Sequence, residues 1–333
     1  MNEKTAEMKK KYEGCLVGLS VGDALGAPVE FLTRKDIIKS HGRVTDYVKA
    51  LSGHSFSNFN PGQYTDDAQL AIAMAQSLVN QKKFDYQDFA SNLIEWYKKG
   101  DFRAAGKATR AACKNLIRGK ALESGISDAC GTGAATRAAP LGLIYNGLGQ
   151  DSGRSLVSDC IYSSILTHRD QRAFASAAAV ARSVNYVKQL NGYLDVQHFL
   201  KCVSDFTGYT ETVNTKGVPE NNGETLESKL KSLNHLRGES FEKAMKKIGY
   251  GGHVFECVPS AILAFVKSPD DFERTIVSAV NSGGDSDSRA AIAGAISGAY
   301  NGIEKIPRRF LDNLENKDLI ISLSDKLFEI FSQ

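Results

Sequence analysis

Gly294, Gly298 and Gly302 recur at intervals of four within "SRAAIAGAISGAYNG". Residues four apart on a helix lie one above the other. One face of this segment therefore carries almost no side chain, and only another helix backbone can cover it closely. Ala- and Gly-rich helical patterns fill much of the rest of the chain, and only seven prolines interrupt it. None falls between Pro61 and Pro140, or between Pro140 and Pro219. Such stretches permit uninterrupted helices. The expected architecture is all-α, one compact domain over residues 1–333 with tightly packed helices.

The helical periodicity is explicit in several places. "DDAQLAIAMAQSLVNQ" sets Leu70, Met74 and Leu78 on one stripe, and "DFASNLIEWYKKG" groups Phe89, Leu93, Trp96 and Tyr97 ahead of Gly100 as a stop. "DQRAFASAAAVARSVNYVKQL", "VPSAILAFVKS" and "DLIISLSDKLFEIFSQ" follow the same period. Alternation with period two is scarce, and "VTDYVKAL" at 44–51 is the one segment read as a strand. Residues 205–230 are polar and rich in Gly, Asn and Thr, which predicts a surface excursion. No internal repeat and no domain linker stands out.

Charge and cysteines narrow the function. A net charge of +3, from 41 basic and 38 acidic side chains, argues against a dedicated nucleic-acid or membrane-surface binder. The six cysteines form no C-x-x-C pair, and no histidine stands at zinc-finger spacing from them. Dispersed cysteines, no secretory signal at the start and no apolar run of membrane-spanning length make a cytoplasmic protein the expectation.

Two acidic turns need a separate explanation. "QYTDDAQ" at 63–69 and "GGDSDS" at 283–288 each set a pair of aspartates beside hydroxyl residues at the head of an Ala-rich helix. Either alone is read more simply as a cap, with Thr65 or Asp66 opening one helix and Asp285 the other. A second carboxylate beside each cap is surplus to that role. Hard divalent cations take carboxylate and hydroxyl oxygens. Asp66, Asp67, Asp285 and Asp287, helped by Thr65 and Ser288, suit two hard cations such as Mg²⁺ if the turns converge. Without a cation, converging carboxylates would have to take up protons. Glu30, in "GDALGAPVEF", is either a surface residue or an acid/base beside the metals.

"GLSVGDALGAPVEF", "QYTDDAQLAIAMAQSLV", "CGTGAATRAAPLGLIY" and "GGDSDSRAAIAGAISGAYNG", in this order, resemble the ADP-ribosylglycohydrolase family over about residues 12 to 330. This is the family of dinitrogenase-reductase-activating glycohydrolase and the vertebrate ADP-ribosylhydrolases. The resemblance implies an all-α fold, a binuclear Mg²⁺ or Mn²⁺ cleft, an ADP-ribosylated protein as substrate and ADP-ribose as product. It implies that Thr65, Asp66 and Asp67 hold one metal and Asp285 and Ser288 the other, with Asp287 bridging. Glu30 or Asp101 would handle the proton, and Asp101 stands where arginine-specific members carry an acid near the substrate side chain. Gly131, Thr132, Gly133 and Ala134 would form a diphosphate loop; His168 would lie near the nucleotide, and Phe255 and Glu256 on the adenosine side.

"GGDSDS" and "RAAGKAT" are closer to arginine-type members and "FECVPSAI" to serine-type ones, so the balance tips modestly to ADP-ribosyl-arginine. Ala68, Cys130, Thr136 and Arg289 depart from the usual pattern without removing an expected ligand. Family members are often monomers. The competing readings are a non-hydrolytic ADP-ribose binder or toxin-blocking protein of the same fold, and a two-metal phosphatase.

Overall fold

The computed structural model describes residues 2–147 and 149–332. Helices α1 (Glu3–Gly26), α2 (Arg34–His41), α3 (Asp66–Gln81), α4 (Tyr86–Lys99) and α5 (Lys107–Ile117) lead to the short α6 (Gly133–Thr136) and α7 (Ala139–Leu143). There follow α8 (Gln150–Ile165), α9 (Gln171–Lys188), α10 (Val196–Glu211), α11 (Leu226–Leu236) and α12 (Phe241–Ile248). The chain closes with α13 (Val254–Val266), α14 (Phe272–Val280), α15 (Ser286–Asn301), α16 (Arg308–Asp312) and α17 (Lys317–Phe331). Among the described residues the strands are β1 (Ile126–Ser127) and β2 (His168–Arg169), a parallel pair with Ile126 opposite His168 and Ser127 opposite Arg169. The fold is all-α, as its sequence pattern requires.

The glycine face of α15 is covered by α1, from the other end of the chain. Gly14, Gly18 and Gly22 of α1 lie against Gly298, Gly294 and Ala290 of α15, and Gly26 lies on the backbone of Asp287. A Cβ added at any of these four α1 positions would sit under 3.0 Å from a backbone atom of α15. Two helices can approach this closely only where neither carries a side chain. The same antiparallel contact sets the end of α1 beside the start of α15. The hydroxyl of Ser286 closes it by donating to the carbonyl of Gly26 (2.9 Å).

The periodic stripes become the core. Leu70, Met74 and Leu78 of α3, and Phe89 and Leu93 of α4, are buried, and α4 stops at Gly100 in a left-handed conformation. No strand forms over 44–51. The amide and carbonyl of Val44 are satisfied instead by the side chain of Asn281, at 2.8 Å each. One asparagine thus takes the place of a neighbouring strand. Within the polar stretch, α10 continues to Glu211 and α11 begins at Leu226, so the irregular part is 212–225. Thr207 and Thr210 fit inside α10 because each hydroxyl donates to a carbonyl four residues earlier. All six cysteines are unpaired thiols. Among the described residues no helix is long and apolar enough to cross a membrane.

Candidate functional site

The start of α3 is capped by Asp23, from the last turn of α1. Its carboxylate accepts from the amides of Thr65 (2.9 Å) and Ala68 (2.8 Å), and the Thr65 hydroxyl accepts from the amide of Asp67 (3.3 Å). Capping is therefore complete without the side chains of Asp66 and Asp67. Asp67 instead accepts from the hydroxyls of Ser288 (2.7 Å) and Thr136 (2.8 Å). The Ser288–Asp67 bond joins the two acidic turns directly across 221 positions of sequence.

The second turn is held by its glycines. Gly283 and Gly284 both have positive φ, and a Cβ on Gly284 would collide with the carbonyl of Tyr250. Backbone bonds from Phe31 to Gly284 (2.8 Å) and from Gly284 to Leu32 (2.9 Å) tie the turn to the segment that carries Glu30. Arg289, fully buried, donates to the carbonyls of Gly283 (2.8 Å) and Tyr250 (3.0 Å) and to the hydroxyl of Ser282 (2.7 Å). This arginine is a positioning device for the turn.

The result is a cavity of about 420 Å³ lined by Glu30, Asp66, Asp67, Asp285, Asp287 and Ser288 on one side and by Gly131, Thr132, Gly133 and His168 on the other. Oxygen atoms of Glu30, Asp285 and Asp287 all lie within 4.8 Å of one another. Oδ1 of Asp285 and Oδ1 of Asp287 are buried with no hydrogen-bond partner. A buried carboxylate oxygen without a partner is costly, and three acids this close repel. The donor set, all hard oxygen, fits a divalent cation such as Mg²⁺ or Mn²⁺. Asp285 does not use its side chain as a cap for α15, which leaves it free to ligate.

The charges respond as an unneutralised cluster must. Burial, then the nearby Asp285, pushes the Glu30 carboxyl up to about 8. Burial and the charge of Asp67 push Asp23 up to about 7, and burial with Asp285 pushes Asp67 up to about 6. Asp66 and Asp287 are raised well above the ordinary carboxylate range, mainly by burial. Each of these acids binds its proton more tightly folded than unfolded. Without metal, the fold therefore gains stability as pH falls through this range and loses it as pH rises. EDTA-treated protein is expected to show a falling melting temperature from about pH 5 to pH 8, as Asp67, then Asp23, then Glu30 give up their protons. Saturating Mg²⁺ should flatten the curve, since a cation replaces the protons. Differential scanning fluorimetry decides it, and parallel curves with and without Mg²⁺ would contradict the cation reading.

The wall opposite the acids is a bare backbone. The His168 ring packs beneath Gly131 and Gly133, 3.4 Å from where a Cβ of Gly133 would be. Its Nδ1 pairs with the hydroxyl of Thr167 (2.7 Å), and burial together with Arg137 pushes its pKa down to about 3, so the ring is neutral. Arg137, fully buried, supports the loop from behind through the carbonyl of Gly133 (2.7 Å). Thr132 reaches across to Ser288 (3.0 Å). Ala134 is buried behind the lining.

Five expected site residues do not line the cavity: Thr65, which caps α3, the buried Ala134, and Asp101, Phe255 and Glu256. Asp101 is exposed on the surface and hydrogen-bonded to Arg103 (2.9 Å) and Gln69 (3.2 Å), in a neighbouring groove with Trp96 and Tyr64. Its loop still lines the acidic cavity through Ala104 and Gly106. Phe255 is buried in the first turn of α13. Glu256 accepts from the amide of Gly251 (2.8 Å) and so holds the turn before Gly252, which does line the cavity. Conversely, Asp23, Arg137 and Thr136 support the site although no acidic turn marks them in the sequence. The available signal was a charged or polar residue among small ones, as in "VGDALG" and "GAATRAAP", where a helix too crowded for bulk still keeps an ionisable group.

The family model described as ADP-ribosylglycohydrolase matches residues 4–333. An uncharacterized protein of Archaeoglobus fulgidus is 33% identical over 326 residues, 97% of each chain. The ADP-ribosylarginine hydrolase Tri1 of Serratia proteamaculans is 28% identical over 331 residues, 97% of this chain and 80% of the relative. A solved structure titled "ADP-ribosylglycohydrolase-related protein complex" superposes with a TM-score of 0.73 at 25% identity, covering 98% of this chain and 99% of the other.

Proposed function

The chain belongs to the ADP-ribosylglycohydrolase family, and from that premise we propose that it is a Mg²⁺- or Mn²⁺-dependent hydrolase that frees ADP-ribose from modified protein side chains, arginine ahead of serine. The observation that carries the reading is the cluster of Glu30, Asp285 and Asp287, with carboxylate oxygens within 4.8 Å of one another and with Oδ1 of both Asp285 and Asp287 buried and partnerless. Asp66 and Asp67 line the same space from α3, and Ser288 from α15, which supports a second ion; Thr65 stands just behind them as the cap of α3. When bound, such cations supply Lewis-acid polarisation of a water and of the ribose hydroxyls.

The protein's own groups do the rest. Glu30, which lines the cavity beside Asp285 and Asp287, takes or returns the proton of an attacking water. The remaining carboxylates favour the positive charge that builds on the sugar as the glycosidic bond weakens. Gly131 and Gly133 leave the loop backbone open to a diphosphate, which the neutral His168 buttresses. In this proposal Asp101, paired with Arg103 in the groove beside the cavity, meets a cationic acceptor side chain rather than moving the proton. The named similarity to an ADP-ribosylarginine hydrolase supports arginine as the preferred acceptor. Unpaired thiols, half of them or more fully buried, suit the reducing cytoplasm.

The test is a mass spectrum of products from ADP-ribosylated arginine and serine peptides, with Mg²⁺ and with EDTA. The expected outcome is free ADP-ribose, in Mg²⁺ only, and faster from arginine. Release of AMP would move the chemistry to the pyrophosphate, and retention of intact substrate would leave a binding protein.

A further inference from the structure

A second cavity, of about 620 Å³, lies between α8 and the segment after α10. Its floor is a separate small apolar cluster that includes Val157, Ile161 and Ile165. Arg154, Arg169 and Lys216 stand around this floor against a single carboxylate, Glu123. Among the described residues none of the three cations is in an ion pair. Arg169 is the unusual one, because its Nε is buried and has no hydrogen-bond partner. A buried guanidinium nitrogen without an acceptor is rare and unfavourable. Arg169 follows His168 in β2, and successive strand residues face opposite ways. One therefore lines the acidic cavity and the other this one.

We propose that this second cavity binds a small amphipathic anion, with a carboxylate or phosphate head held by Arg169 and an apolar body over Val157 and Ile161. Guanidinium forks match both head groups. The apolar floor with convergent cations above it is the usual make-up of a small-ligand site. Tyr209, about half exposed at the edge, offers a face for the body of the ligand. The proposal does not depend on the hydrolase reading, since no residue of the acidic cavity takes part.

The probe is 8-anilinonaphthalene-1-sulfonate, an aromatic anion that fluoresces when bound, titrated into the native protein and then displaced. Dodecanoate and phenyl phosphate, used separately as competitors, distinguish a carboxylate head from a phosphate head. The expected result is one saturable site, displaced by at least one competitor, with affinity at least tenfold lower in Arg169→Gln and several-fold lower in Tyr209→Ala. Circular dichroism and melting establish that each variant is folded. If Arg169→Gln does not fold, the exposed Lys216→Glu variant should show the same loss. Unchanged binding in the folded variants, non-saturable binding, or no displacement by either competitor would overturn the proposal.

Discussion

The Asp287→Ala protein is expected to lose divalent-cation binding and turnover together, and to be more stable than the wild type in EDTA. Asp287 sits buried at the head of α15 with one oxygen unpaired and two other acids within reach. In the proposed reading it is a metal ligand, so its removal should lower kcat/KM by roughly a thousandfold or more, about 4 kcal/mol of barrier. Isothermal titration with Mn²⁺ reads the loss of affinity. Without metal the same carboxylate is a liability, because burial and the charge of Glu30 oppose its ionisation. Truncating most buried side chains destabilises; here the melting temperature at pH 8 in EDTA should rise, and the usual stabilisation by Mg²⁺ should vanish. Bound ligand at a hundred times its Kd contributes about 2.7 kcal/mol, roughly 4 °C for a chain of this length, so the missing Mg²⁺ shift is measurable. A variant that still turns over at the wild-type rate in Mg²⁺ would remove Asp287 from the machinery.

The Gly22→Ala protein is expected to lose about 3 kcal/mol of stability and much of its cation affinity, from one added methyl group. In the interior of an ordinary helix this exchange stabilises by about 1 kcal/mol, because alanine loses less backbone entropy. At Gly22 the new Cβ falls onto the carbonyl of Ala290. Overpacking of this kind costs about 1–3 kcal/mol or more, and here it strikes backbone rather than a movable side chain. The relief is to push α1 away from α15, and that carries Asp23 and Glu30 away from Asp285 and Asp287. Stability and metal binding should therefore fall together. Gly153→Ala, inside α8 with only the Phe206 ring 3.9 Å from its would-be Cβ, is the control and should be neutral or stabilising. Equal effects in the two variants would mean that close helix approach does not organise the site.

How far the sequence reads into this structure differs between elements. The stripes of α3 and α4, with Gly100 as terminator, follow from helical period and local cap chemistry, which need no knowledge of neighbours. The segment 44–51 does not, because distant side chains take up backbone groups at its start, as Asn281, 237 residues away, does for Val44. Asp101 and Asp66 look alike in sequence, each an acid beside a helix end. Only packing puts one on the surface with Arg103 and the other in the acidic cavity.

By itself the sequence determined that the chain is helical, that one helix face must meet bare backbone, and that two acidic turns carry more carboxylate than caps require. These are local matters of spacing and of side-chain chemistry. The tertiary structure alone decided that α1 is the helix that meets α15, and that their contact sets Glu30, Asp285 and Asp287 together. It also assigned the capping of α3 to Asp23, which leaves Asp66 and Asp67 free for the cavity. Such pairings depend on which distant surfaces fit within a few tenths of an ångström, and close packing settles that only when the whole chain has folded.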